Sequence, residues 1–166
     1  TISSGGYGYA KIPLLSLQQN SLPHPQEFSF LVSFSGSLGT HRVRRKCNVR
    51  LSKLFKKKYL FYEGENWIDV VNNTHYVVCP RGFGRTAFKL YETLDMQRVP
   101  IYVYDDIPWL PYEKAIDWAS FSIPISSGEI HKLKKILHDI DEPKYLEMIH
   151  RGKELHHNYF TFAGVV

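Results

Sequence analysis

The twenty residues from His75 to Leu94, HYVVCPRGFGRTAFKLYETL, decide the fold. Tyr76, Val77, Val78 and Cys79 form a short apolar run that stops at Pro80. A basic, glycine-bearing turn follows, Arg81-Gly82-Phe83-Gly84-Arg85, and then Phe88, Leu90, Tyr91 and Leu94 recur at helical spacing. The order is strand, glycine turn, helix. Such a turn leaves backbone N–H groups free at a helix start, where the dipole favours an anion, and two arginines add positive charge. Alone, these residues suit a phosphate site and an ordinary strand-to-helix turn equally.

Working outward, Phe28 to Phe34 (FSFLVSF) is rich in β-formers and suits a buried central strand. Ser35 to Thr40 is a glycine loop, with Thr40 placed to cap the helix after it. Arg42 to Lys58 carries nine basic residues and no acid. Its apolar members Val43, Cys47, Leu51, Leu54 and Phe55 share one helical face, so most of the charge is a solvated face. Arg42 and Arg44 differ, because basic residues in a first helical turn oppose the dipole unless an anion is present. Tyr59 to Tyr62 is a second strand, and Asn66 to Asn72 a short helix leading to the third strand, Tyr76 to Cys79.

Downstream, a helix over Thr86 to Met96 is followed by a fourth strand, Val99 to Tyr104, which ends at Asp105-Asp106. Pro108 to Pro111 is a loop, Tyr112 to Trp118 a short helix and Phe121 to Ile125 a last strand. Ser126 to His138 and Glu142 to Tyr159 read as amphipathic helices. Strands alternating with helices imply a parallel sheet covered on both faces. Right-handed crossovers then bring the loops after the first, third and fourth strands to one edge. Gly36–Arg44, Arg81–Arg85 and Asp105–Asp106 are expected to converge there on one crevice.

Length and composition bound the rest. At 166 residues the chain suits one α/β domain, taken here as 28–166, with 1–27 as a Gly-, Ser- and Pro-rich linker leading into it. Ile12 and Leu14 to Leu17 could pin that linker to the body. Lys plus Arg number 21 against 16 acids, and the pI is about 9.1. That balance suits nucleic acid, an anionic membrane face or a phosphorylated small molecule. No aromatic interleaving or known module accompanies the basic run, so nucleic acid is not expected. Cys47 and Cys79 both sit in apolar patterns, as buried free thiols do. No stretch reaches the ~18 apolar residues of a membrane span, and no signal peptide is seen. Asn72-Asn73-Thr74 is a glycosylation triplet, which would point to a secretory lumen. His156-His157 has no second ligand cluster and reads as a helix end rather than a metal site.

CPRGFGRTAFKLYETL, followed by VPIYVYDDIPWLPYEKAIDWASFSI and preceded by FSGSLGTHRVR, resembles the exostosin family of glycosyltransferases over about residues 28 to 125. The resemblance implies a Rossmann-like α/β domain, the donor-binding C-terminal half of a GT-B fold. It implies transfer of a sugar from a nucleotide diphosphate sugar, usually a UDP-sugar, to a glycan acceptor, with inversion and without an essential metal or cofactor. By the same resemblance Arg44, Arg81 and Gly82 would face the donor diphosphate, with Arg85 and Thr86 at the helix start and Lys89 beside them. Glu92 would bind the ribose hydroxyls, and seven residues from Arg85 would place it two helical turns along the same face. Asp105 would lie near the sugar or nucleoside. The catalytic base is unassigned and would belong to an acceptor-binding domain outside this chain. Lys89 stands where the family commonly has Arg and Ala87 where it has Ser, which keeps open a non-catalytic, partner-stabilising domain, alone or in a homo- or hetero-oligomer. A eukaryotic member would work in the Golgi lumen behind a membrane anchor, and a viral or bacterial one in the cytoplasm.

Overall fold

A computed structural model describes residues 2–3, 6, 8, 10–15 and 28–164. Five strands form one all-parallel sheet: β3 (Phe30–Ser35), β4 (Tyr59–Tyr62), β5 (Thr74–Pro80), β6 (Val99–Tyr104) and β7 (Ile123–Ser126), in the order β4-β3-β5-β6-β7. Two short strands, β1 (Ile2–Ser3) and β2 (Ala10–Lys11), pair separately and in parallel. The helices are α1 (Arg42–Phe55), α2 (Trp67–Asn72), α3 (Phe88–Asp95), α4 (Leu133–His138) and α5 (Glu142–Tyr159). This is the expected Rossmann-like sheet with helices on both faces.

Alternation along each strand sorts the core into two layers. Tyr76 and Val78 of β5 join Val43, Cys47, Leu51 and Phe55 of α1 on one face. Val77 and Cys79 join Leu90, Tyr91 and Leu94 of α3 on the other. The outward residues of α1, among them Arg45, Lys46, Arg50 and Lys53, are exposed, which accounts for most of the basic run. Both thiols are buried and pushed up to about 12 by desolvation, so neither is a nucleophile near neutral pH.

Several local expectations are corrected. His41, rather than Thr40, caps α1: its Nδ1 accepts from the Val43 N–H at 3.3 Å. Residues 112–118 are not a helix. Tyr112 has a φ of 55°, a left-handed conformation that cannot begin a right-handed helix, and Ala115 and Ile116 N–H groups both close a turn onto its carbonyl. A 3-10 turn, Trp118–Ser120, follows, and β7 begins two residues later than expected, at Ile123. Residues 127–138 divide into a 3-10 segment, Ser127–Lys132, and α4, whereas α5 has its expected bounds. Asn72 is 3% exposed, and its carbonyl accepts from buried Arg98, so the folded triplet cannot present that side chain for glycosylation.

Part of the segment before Phe28 lies on the body. Lys11 Nζ donates to Glu113 Oε2 at 2.6 Å and to the Pro108 carbonyl at 3.3 Å, the Gly6 carbonyl accepts from Arg85, and Leu14 packs on the α3 layer. Leu17 lies outside the described residues.

Candidate functional site

From β3 the chain turns outward to β4, then crosses back to β5 on the other side of β3. The loops after β3 and β5 therefore depart in opposite directions at the carboxyl edge, which is where open α/β sheets leave a crevice. A cavity of about 380 Å³ opens there, a size that suits a small molecule. Ser35, Gly36, Thr40 and Arg44 line it from the β3 side, Gly82, Gly84 and Thr86 from the β5 turn, and Phe88, Lys89 and Glu92 from α3.

Local geometry fixes the cationic wall. Gly36, just after β3, has a φ of 136°, a region open to glycine, and its N–H donates to the Tyr62 carbonyl at 3.0 Å. The chain then returns through Ser37 to His41 and starts α1, which aims Arg44 back at the crevice. Arg44 Nε donates to the Arg81 carbonyl and Nη1 to the Ser37 carbonyl, each at 2.9 Å. Those two bonds hold the guanidinium plane and tie both loops together. Its Nη2 has no protein acceptor among the described residues and lies 3.5 Å from where a Cβ on Gly82 would stand. Ser35 Oγ and Thr40 Oγ1 are buried polar atoms at the cavity with no protein partner among the described residues. A cation with an open donor and two unmet hydroxyls suits an anionic, oxygen-rich ligand.

The opposite wall is α3. Lys89 Nζ lies 2.9 Å from Glu92 Oε2 and 3.0 Å from the Trp67 ring centroid. Burial draws the Lys89 pKa down, and the Glu92 carboxylate works against that shift. Held from two sides, this lysine fixes where Glu92 points.

Arg81, Arg85 and Asp105 belong to a different group beside the cavity. Arg81 is 7% exposed; its Nη1 donates to Asp105 Oδ1 at 3.1 Å and its Nε to the Gly84 carbonyl at 3.0 Å. Arg85 Nε donates to Asp106 Oδ2 at 2.7 Å. His41 Nε2 is 4.0 Å from Asp105 Oδ2. The structure thus brings Arg44, Gly82, Thr86, Lys89 and Glu92 around one cavity and places Arg81, Arg85 and Asp105 in an adjoining ion-pair cluster. One expectation about the helix fails. Its first residue is Phe88, after Ala87 in extended conformation, so Arg85 and Thr86 precede it and Arg85 does not share a helical face with Glu92. Phe88 is the residue one turn before Glu92. Sequence reasoning put His41 and Asp106 in the converging loops without giving either a role, and it missed Trp67, Ser35 and Phe88; Phe88 reads as part of the helix's core stripe, yet it is 50% exposed at the cavity. Among the described residues no group of three or more His, Cys, Asp or Glu is placed to hold a metal ion.

A doubly wound parallel sheet with its cavity at the switch point defines a Rossmann-like α/β domain. Residues 10–140 match the family model of the Exostosin GT47 domain, and the chain belongs to that family. Two Arabidopsis thaliana proteins are similar in sequence. Probable glycosyltransferase At5g03795 is 26% identical over 155 residues, covering 84% of this chain and 28% of the relative. Probable glycosyltransferase At3g07620 is 27% identical over 154 residues, covering 89% and 32%. The chain therefore spans about a third of the length of these curated relatives. Among solved structures, TarM superposes with a TM-score of 0.62 at 11% identity, covering 93% of this chain and 37% of TarM. The pneumococcal O-GlcNAc transferase GtfA, in complex with UDP and GlcNAc, gives a TM-score of 0.51 at 10% identity, with 91% and 37% covered. These GT-B glycosyltransferases share the Rossmann-like fold.

Proposed function

We propose that this chain is the donor-binding half of an inverting glycosyltransferase that moves a sugar from a UDP-sugar to a glycan acceptor. The observation that carries it is Arg44, fixed by two carbonyls with an open Nη2 beside Gly82, facing the same cavity as the fixed carboxylate of Glu92. Membership of the exostosin family, glycosyltransferase relatives and fold neighbours crystallised with UDP support the reading.

The chemistry is governed by charge. Breaking the glycosidic bond to a diphosphate leaves negative charge on the departing oxygen, and a preorganised guanidinium stabilises that charge more than it stabilises the bound donor. Arg44 supplies the positive charge, the backbone around Gly82 permits close approach, and Thr86 adds a hydroxyl at the same turn. Glu92 accepts from ribose hydroxyls. The base that deprotonates the acceptor is assigned to the acceptor-binding half. No metal is required in this scheme, because the arginine carries the charge stabilisation.

Calorimetric titration with UDP tests the reading. Heat of binding that disappears in Arg44→Ala and weakens in Glu92→Ala is expected. Absence of UDP binding, with or without the acceptor half, would favour the non-catalytic domain instead.

A further inference from the structure

Phe88 is half exposed, although it opens the helix whose Leu90, Tyr91 and Leu94 are buried at 0 to 1% exposure. Single exposed apolar side chains are common and carry no argument alone. This one lines the cavity, and so does Phe83, which is 82% exposed on the glycine turn. Phe88 and Glu92 are four residues apart in α3 and so share one face, with Cβ atoms about 5–6 Å apart. A nucleobase and the hydroxyls of its own ribose are separated by a comparable span.

We propose that Phe88 is the platform on which the nucleobase of the donor stacks, one helical turn from the carboxylate that holds the ribose. The inference rests on the donor-binding reading and adds to it a named contact for the base. The binding face is then assembled from one helix: the ring of Phe88 at the first turn, the Lys89 clamp on Trp67, and Glu92 at the second turn. The diphosphate extends from there toward Gly82 and Arg44. A flat aromatic surface takes up a planar base by offset stacking, and its exposure to water in the free protein is relieved on binding. Stacking on a single phenyl ring takes any base, so the platform supplies affinity rather than the choice of uridine.

The test compares UDP with inorganic pyrophosphate by calorimetry on the chain and on Phe88→Leu and Phe88→Trp. Leucine keeps the apolar bulk and removes the ring; tryptophan keeps a ring. Phe88→Leu is expected to weaken UDP about tenfold while leaving pyrophosphate affinity unchanged, and Phe88→Trp to bind UDP at least as well as the parent chain. UDP affinity unaffected by Phe88→Leu, or an equal loss for pyrophosphate, overturns the stacking role while the donor reading stands. A parent chain that binds neither UDP nor pyrophosphate overturns the donor reading, and this inference with it.

Discussion

Arg81 Nη1 and Asp105 Oδ1 lie 3.1 Å apart at the carboxyl ends of adjacent strands, with side chains 8% and 15% exposed. The pair joins the β5 and β6 loops, and a second carboxylate, Asp106, stands 3.7 Å from the same nitrogen. Arg81 therefore keeps its guanidinium inside the protein, and among these arginines it is Arg44 that lines the cavity. Removing Asp105 strands a buried arginine, a change that costs about 3–5 kcal/mol where no other partner exists. With Asp106 nearby, Asp105→Ala should cost about 1–3 kcal/mol, read from the urea midpoint. A loss as large from Asp106→Ala would contradict the ranking of the two carboxylates.

Gly82 separates fold from ligand. A methyl group at this position would meet Arg44 Nη2 at 3.5 Å and the Thr86 carbonyl at 3.8 Å, which is ordinary contact. Gly82→Ala should therefore leave the melting temperature within a few degrees. The methyl points at the guanidinium that awaits the diphosphate, so UDP affinity should fall, by about tenfold if one good hydrogen bond is lost. An unfolded variant would show that the glycine serves the backbone instead.

His41 makes stability depend on pH. Its pKa is lowered, first by burial and then by Arg81, with Asp105 opposing. A histidine whose folded pKa lies below its unfolded value of about 6.5 binds fewer protons in the native state. The His41 effect on stability should be flat above about pH 6.5 and turn unfavourable as the pH falls from there toward the folded pKa. Protonation also ends the Nδ1 acceptor role at the start of α1. His41→Asn keeps a cap and removes the titration, so its chemical denaturation should show a smaller decline over this window than the parent chain. Identical pH profiles for the two would refute the assignment.

Asp106 titrates in the opposite sense. Partial burial works to raise its pKa, but hydrogen bonds from Arg85 and the Ile107 N–H outweigh it and hold the carboxyl below its ordinary 3.8. Its contribution is present above that value and lost as the pH falls through the folded pKa. Asp106→Asn should therefore flatten part of the acid limb of stability below about pH 4, and leave the His41 window unchanged.

Where the physics is periodic, the sequence could be read. The alternation in β5, the Val43-Cys47-Leu51-Phe55 stripe of α1 and the whole of α5 are repeats of period two or 3.6, and the parallel order follows from their alternation. Arg44, Gly82, Thr86, Lys89 and Glu92 were singled out and share one cavity because the loops after β3 and β5 meet at the switch point. Other features depend on partners far apart in sequence. The bonds of Arg81 to Asp105 and of Arg85 to Asp106 span 24 and 21 residues, so no local pattern distinguished these arginines from Arg44. The cap at His41 hid behind a better capping residue type at Thr40. Tyr112 hid behind helical spacing that its left-handed backbone does not obey. Phe88 looked like core because spacing places a residue on a helix face without saying whether protein or solvent lies opposite.

The central claim is that Arg44 meets the donor diphosphate at the switch-point cavity. Calorimetric titration of UDP against the parent chain and Arg44→Lys tests it most directly. Lysine keeps the charge but loses the planar fork that holds Arg81 and Ser37 while leaving Nη2 free. The account predicts saturable UDP binding by the parent chain that falls at least about tenfold in Arg44→Lys, one lost charge-assisted bond. Equal UDP affinity in the two proteins, or no binding by the parent up to about 1 mM, an affinity worth only ~4 kcal/mol, would contradict it.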